Sequence, residues 1–403
     1  MIGERLRQAR LIAMLTLDEV VEQLAKNHVA LTKAGLSKYE RGGSVPKAQL
    51  LLELARVLDT RTEYFLSEPK AVMNWLAFRK TTKLGLREQE RIESLAENVV
   101  EAHVWLREKL KIKDGGRLPN IQVRNFQAAE DAAIKLRHSW KLDDSPVESV
   151  TESAEDQGVI VVLCDDAPAS FHGLSGIANK TRSVVVETAQ AEDDRRRFNV
   201  AHELGHLVMT CKTATDKEQE KFAHRFAAAF IVPAQVAIRE LGRRRKHLGL
   251  EELSLLKKKH GLSMQAWAYR AADLDIIDRS RLHSLFIEMS ARGWRKSEPV
   301  NFERHEEPTR LRQMTLRAVA EGIVSRDKAE SLCPGCTKGL DEEPEAKRKR
   351  KWTAKELLQL TPEERDKVLE AGVPGVARDY GPKGVLRRFD AFDDEDMKDD
   401  HAK

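Results

Sequence analysis

Apolar positions at the start of the chain keep helical spacing. Leu17, Val20, Val21 and Leu24 share one face, Thr16 with Glu19 makes a capping box ahead of them, and Pro46 leads into a further apolar helix. Residues 1–68 are therefore expected to form five short helices. Residues 69–116 read as a polar helical connector with Trp75, Leu76, Phe78, Leu84, Leu95, Val99 and Trp105 as its apolar stations, closing in a glycine-containing break at 113–116. After it the period changes. A helix at 128–137 precedes two short β-branched runs, 159–163 and 183–187, which predict strands, and the glycine-rich piece 171–176 between them turns the chain or forms a middle strand. Helical spacing returns over 195–209, 218–232 and 250–295. The expected fold class is mainly α and multidomain, with one α+β unit built on a small sheet.

The most specific chemistry lies at 202–206. His202 and His206 stand four apart, so on a helix both imidazoles project from one face and reach one ion, with Glu203 beside them. Zinc with three protein ligands and one open position lowers the pKa of a water to about 7, and a neighbouring glutamate accepts its proton. The pattern also arises by chance on amphipathic helices. Two local features favour the metal: Phe198, Ala201, Leu207 and Val208 can bury the helix, and Gly205, costly in a helix interior, marks a close approach of backbone or substrate. The motif lacks a third ligand, so a carboxylate or histidine is expected on a second helix. The helix at 218–232 has Phe222, Phe226, Ala229 and Phe230 on its buried side, and Glu220 shares a face with Ala223 and Ala227. His172, in the glycine-rich piece, is either a polarising group or a turn histidine.

Charge adds little for the whole chain and more for its parts. Lys plus Arg, 69, nearly balance Asp plus Glu, 65, so a nucleic-acid surface has to be local. Basic runs at 243–246 and 347–351 and an acidic run at 393–396 read first as solvated faces or linkers. No secretory or membrane-spanning pattern stands in the sequence, which leads to the expectation of a soluble, cytoplasmic protein with no membrane partner. Four cysteines do not make a disulfide framework, and Cys333 with Cys336 are either two free thiols or half of a zinc ribbon. Residues 333–352 read as a polar linker and 353–403 as a short helical, acidic tail, partly disordered, for interaction rather than catalysis.

Two family resemblances organise these pieces. Residues 1–68, with S-x-x-E-R-G at 37–42 and the proline-led helix after it, resemble the helix-turn-helix domain of phage-repressor-like (Cro/C1-type) regulators. The resemblance implies that the third helix enters the major groove, with Thr32, Lys33, Ser37 and Lys38 near DNA and Arg41 on phosphate. It also implies a possible homodimer through this domain. Where that family often begins its second helix with glutamine, Leu17 and Asp18 stand here, and Asp18 would face phosphate unfavourably; a domain retained for protein docking is the alternative.

R-R-R-F-x-x-A-H-E-L-G-H at 195–206, followed by E-x-x-A-x-x-F-A-A-x-x-x-x-P at 220–233, resembles the ImmA/IrrE family of metallopeptidases. The resemblance implies a zincin-like peptidase domain at 117–240, with His202, His206 and Glu220 holding the metal and Glu203 as general base. Zinc fits two histidines and a glutamate best, and manganese accepts the same donors. His224 stands where the family usually has asparagine, as an outer partner of the ligands, a fourth ligand or a core-edge histidine. A small helical, helix-turn-helix-like domain follows in the family, here 241–332, where Lys257, Lys258 and Lys259 are candidate DNA contacts.

The function so implied is a metal-dependent endopeptidase that cleaves a helix-turn-helix repressor and is targeted by its own DNA-binding domain. The competing readings are a DNA-binding regulator whose metal site is structural or sensory, and a toxin–antitoxin partner.

Overall fold

The computed structural model describes residues 2–80, 84–112, 115–168, 170–338 and 361. The expected tail, 353–403, lies outside the described residues except for 361, and so does the linker from 339 on. The described part is mainly helical with a small mixed sheet, as expected, and among its residues no helix is long and apolar enough to cross a membrane.

Five short helices open the chain: α1 (Ile2–Ile12), α2 (Leu17–Lys26), α3 (Lys33–Glu40), α4 (Ala48–Val57) and α5 (Thr62–Leu66). The Thr16–Glu19 capping box is present at α2. Leu6, Val20, Leu24, Leu36, Leu54 and Phe65 fill the bundle core. Gly3 lets α1 cross the end of α3, since a Cβ there would collide with the Tyr39 carbonyl. Arg10 donates twice to Glu40, at 2.6 and 2.8 Å. The glutamate of the S-x-x-E-R-G motif thus serves the bundle itself, through a fork of the strong, charge-assisted kind.

The next segment departs from the sequence reading. Residues 73–80 are not helical: they form a strand, β1 (Met73–Lys80), and the helix begins only at α6 (Leu86–Lys109). Partly buried Met73 and Trp75 alternate with exposed Asn74 and Leu76, a period of two that a few apolar stations do not distinguish from a helical stripe.

After β2 (Ile121–Gln122), α7 (Phe126–Ser139) and α8 (Val150–Asp156) come β3 (Ile160–Cys164), β4 (Phe171–Ala178) and β5 (Arg182–Thr188). The glycine-rich piece is therefore a middle strand, and His172 stands in it rather than in a turn. The sheet order is β1-β4-β5-β3, with β4 antiparallel to β1 and β5, and β3 parallel to β5. Its two faces are covered by different helices. Ile160, Val162, Leu174, Val184 and Val186 pack with Ile92, Ala96 and Val100 of α6. Val161 and Val185 point the other way, into a larger core with α7, α9 (Asp193–Val208) and α10 (Asp216–Ile231). The short strand β6 (Met209–Thr210) pairs with β2 after α9, and α11 (Ala234–Leu241) follows α10.

That larger core continues into α12 (Leu250–His260), α13 (Met264–Asp273) and α14 (Arg279–Ala291) through Leu253, Leu256, Trp267 and Leu285. Lys257 is 1% exposed and is held by Asp194 and Glu298, both at 2.9 Å, which removes it from the candidate DNA contacts. Glu298 also accepts from the Met264 and Gln265 amides at the start of α13, and further along the same connection Glu306 accepts from Val150 and Thr151 at the start of α8. Two carboxylates on one extended segment thus satisfy the free amides of two helix N-termini. Finally, α15 (Arg310–Ala320) and α16 (Arg326–Leu332) pack Met314, Ala318 and Ala329 on Leu106 of α6 and on Leu110 just past its end. Cys336 is buried in this cluster rather than in a linker, and burial pushes the Cys333 thiol up to about 12.

Candidate metal centre

The arginines of R-R-R-F bracket the start of α9. Arg196 donates to the Ala189 and Ala191 carbonyls, and Arg197, fully buried, donates to the Val147 carbonyl and lies 4.6 Å from the Phe302 ring centre. Asp194, in the first turn, faces the positive helix end and Lys257. These contacts anchor the helix and leave the next turns to carry chemistry.

Gly205 explains how the second helix comes close enough. A Cβ there would lie 3.1 Å from Cδ1 of Phe226 on α10, tighter than ordinary packing, so α9 and α10 approach at this point. A capping box between Thr215 and Glu218 fixes where α10 begins, and hence the turn on which Glu220 falls.

The result is convergence. Nε2 of His202 and Nε2 of His206 are 3.1 Å apart, Glu220 Oε2 is 3.4 Å from the first and Glu220 Oε1 is 3.2 Å from the second. Ligands held at about 2.0–2.1 Å in a tetrahedron stand about 3.3 Å from one another, so the donor set fits a zinc-sized ion without rearrangement. Among the described residues these three form the one cluster of three or more metal-ligating groups. Cys333 and Cys336 therefore gain no further ligands among those residues. Burial pushes the Glu220 carboxyl upward, but hydrogen bonds and charge from His202 and His206 outweigh it and hold it well below the usual carboxylate range. His202 is fully buried, whereas the Glu220 side chain is 38% exposed, so the cluster opens to solvent on the α10 side.

Glu203 is fully buried and lies under the sheet. A Cβ on Gly173 of β4 would fall 2.5 Å from its Oε1, so any other residue at 173 would push the carboxylate from this position. The backbone there has φ of +154°, a second reason for glycine. His172 is the neighbouring strand residue and is half-buried. His224 meets His202 from the other side: their Nδ1 atoms are 2.8 Å apart, and Nδ1 lies across the ring from the Nε2 that faces Glu220. His224 stands outside the converging set.

Sequence reasoning missed Gly173 and the pair formed by Asn199 and Glu187, 2.8 Å apart one turn before Glu203. A glycine inside a strand pattern signals close backbone approach, so Gly173 was findable. Asn199 and Glu187 were not, because they meet only through packing of α9 on β5.

The residues expected at DNA lie apart from this centre, in the N-terminal bundle. Thr32 caps α3, accepting from the Gly35 amide at 3.1 Å, while Lys33, Lys38 and Arg41 are exposed and Ser37 is half-buried. Asp18 is paired with Lys33 at 2.6 Å. Its charge is thereby partly offset.

Residues 154–272 match the family model Peptidase_M78, the IrrE N-terminal-like domain. No curated protein and no solved structure matches the chain. The matched span runs from within α8 into α13 and contains every residue of the converging cluster. On that span, this chain carries a metallopeptidase domain of the ImmA/IrrE type.

Proposed function

We propose that the chain is a zinc-dependent endopeptidase acting on a helix-turn-helix repressor, with its own N-terminal bundle as the DNA-reading part. The observation that carries this reading is the triangle of His202, His206 and Glu220 with Glu203 beside it under β4. Bound between the three ligands, zinc supplies a Lewis acid for a water and a peptide carbonyl. Glu203, buried beneath Gly173 of β4, takes the proton of the attacking water and returns it to the departing amine. His224 acts on the ring of His202 at Nδ1, fixing its tautomer so that Nε2 keeps its lone pair for the metal. The resemblance of 1–68 to repressor domains supports the choice of substrate, because like domains or a shared operator raise the local concentration of protease at its target. The exposed Lys33, Lys38 and Arg41 support DNA binding by this bundle.

The test pairs chemistry with occupancy. Purified chain loaded with zinc should cleave a helix-turn-helix repressor from the same organism, and Glu203→Gln should lower the rate about 10²–10⁴-fold while still binding zinc stoichiometrically. Operator binding that is intact, with no cleavage of any repressor by the unsubstituted protein, would instead leave a regulator with a structural metal.

A further inference from the structure

β4 is the strand that passes over Glu203, and an extended peptide can add to a sheet edge beside such a carboxylate by main-chain hydrogen bonds. In this chain that edge is taken. β1 pairs with β4 antiparallel, placing Arg79 opposite Gly173, Trp75 opposite Gly176 and Met73 opposite Ala178. The residue at 79 is thus adjacent, across the ladder, to the glycine that touches Glu203. Trp75 is seated on Gly176, where a Cβ would lie 2.7 Å from its Cε3 atom. Any side chain at 176 would therefore displace the indole.

We propose that β1 is an internal substrate mimic: it occupies the peptide-binding edge of β4, and its register describes the segment that replaces it. Resting on the peptidase reading above, this assigns the substrate class as an extended segment with an aromatic side chain over Gly176, four positions before the residue that faces Gly173. The chemistry of the occupied edge is main-chain pairing plus one flat apolar contact. β1 belongs to the stretch that joins the N-terminal bundle to α6, so entry of a substrate requires that stretch to leave the sheet.

The proposal is tested by peptide binding rather than turnover. A fluorescent peptide with the sequence of residues 71–80 is titrated into full-length, zinc-loaded protein carrying Glu203→Gln. Opening the edge with Trp75→Gly should tighten binding at least tenfold. Locking it with Asn74→Cys and Ile177→Cys, which stand opposite each other on the ladder, should abolish binding under oxidation and restore it with dithiothreitol. A peptide whose tryptophan is replaced by alanine should bind the opened protein at least tenfold more weakly. Equal binding by the unsubstituted and oxidised locked proteins overturns the proposal, even if Trp75→Gly fails to fold. Repeating the series with Glu203 intact and casein as substrate separates the two claims. Equal turnover by locked and reduced protein defeats the mimic and leaves the peptidase standing, whereas the expected peptide binding with no turnover defeats the peptidase and leaves the mimic.

Discussion

Helix α10 carries charge into two clusters that differ in what satisfies them. On one side, Arg225 joins Arg270, Glu130 and Asp273: Arg270 and Glu130 are 0% and 3% exposed, Arg270 Nη2 donates to Glu130 at 2.7 Å, and Arg225 reaches Glu130 and Asp273 at 3.2 Å each. Two cations face two anions, and Arg270 also donates to the Val232 carbonyl. On the other side, Glu220 faces the Nε2 atoms of His202 and His206. Three atoms of metal-ligating type converge there. The first cluster is closed by the chain and ties α7 to α13; the second is open to solvent and has the donor set and spacing that a metal ion takes. Burial of charged residues alone does not tell structure from site, but the balance of charge within each cluster does.

Breaking the closed cluster should have the largest effect on stability and little on the metal. Arg270→Ala leaves Glu130 buried without its main partner and should cost about 3–5 kcal/mol in urea unfolding. Zinc affinity, measured on the fraction that remains folded, should change little. The converse holds for the open cluster. Glu220→Ala should weaken zinc binding more than about 100-fold by competition with a chelator dye, beyond the usual effect of an outer partner, while the metal-free protein unfolds at nearly the same urea concentration. His224→Ala tests the partner behind His202 and should lower zinc affinity about 10–100-fold, with asparagine at that position recovering part of it through its amide.

The smallest expected effect concerns a third buried contact, where the N-terminal bundle meets α6. Gln8 donates to Glu97 at 2.8 Å and Arg5 to Glu101 at 2.7 Å. Burial is the main reason that the Glu97 carboxyl is pushed up to about 7; the Gln8 hydrogen bond opposes it, and Glu93, Glu101 and Glu4 add to it. The folded chain then holds a proton that the unfolded chain, with an ordinary carboxyl pKa near 4.5, has already lost. Stability contributed here is therefore greatest at or below pH 4.5 and declines as pH rises to about 7. Between pH 5.5 and 8, Glu97→Gln should flatten part of the fall in melting temperature, an effect of about 2–4 °C. Glu155, also pushed up to about 7 by burial, accounts for a remaining slope of the same sign.

Local chemistry made much of this fold legible. The capping box at Thr16 and Glu19, the β-branched runs of β3 and β5, and the spacing of Phe222, Phe226 and Phe230 each depend on residues close in sequence, and each element formed as the pattern predicts. The strand β1 did not follow the helical reading because its conformation is set by β4, about a hundred residues away. Lys257 misled for the same reason: beside Lys258 and Lys259 it reads as an exposed DNA contact, and only folding brings Asp194 and Glu298 to its ammonium group. At the candidate site, His202, Glu203 and His206 were legible from spacing and Glu220 from family resemblance. For His224 the sequence left an outer partner, a fourth ligand and a core-edge histidine open; its contact with Nδ1 of His202 depends on the approach of α9 and α10 at Gly205.

The attachment of the N-terminal bundle to α6 has a mechanical consequence. At 24 residues, α6 is about 36 Å long. The bundle grips it through Glu97, Asn98 and Glu101, while Ile92, Ala96 and Val100 press on the sheet and Leu106 and Leu110 on α15 and α16. Such a rod has its handle and its working surface on the same few turns. A torque applied to the bundle is delivered to the floor of the sheet within one side-chain layer, with no hinge between grip and load.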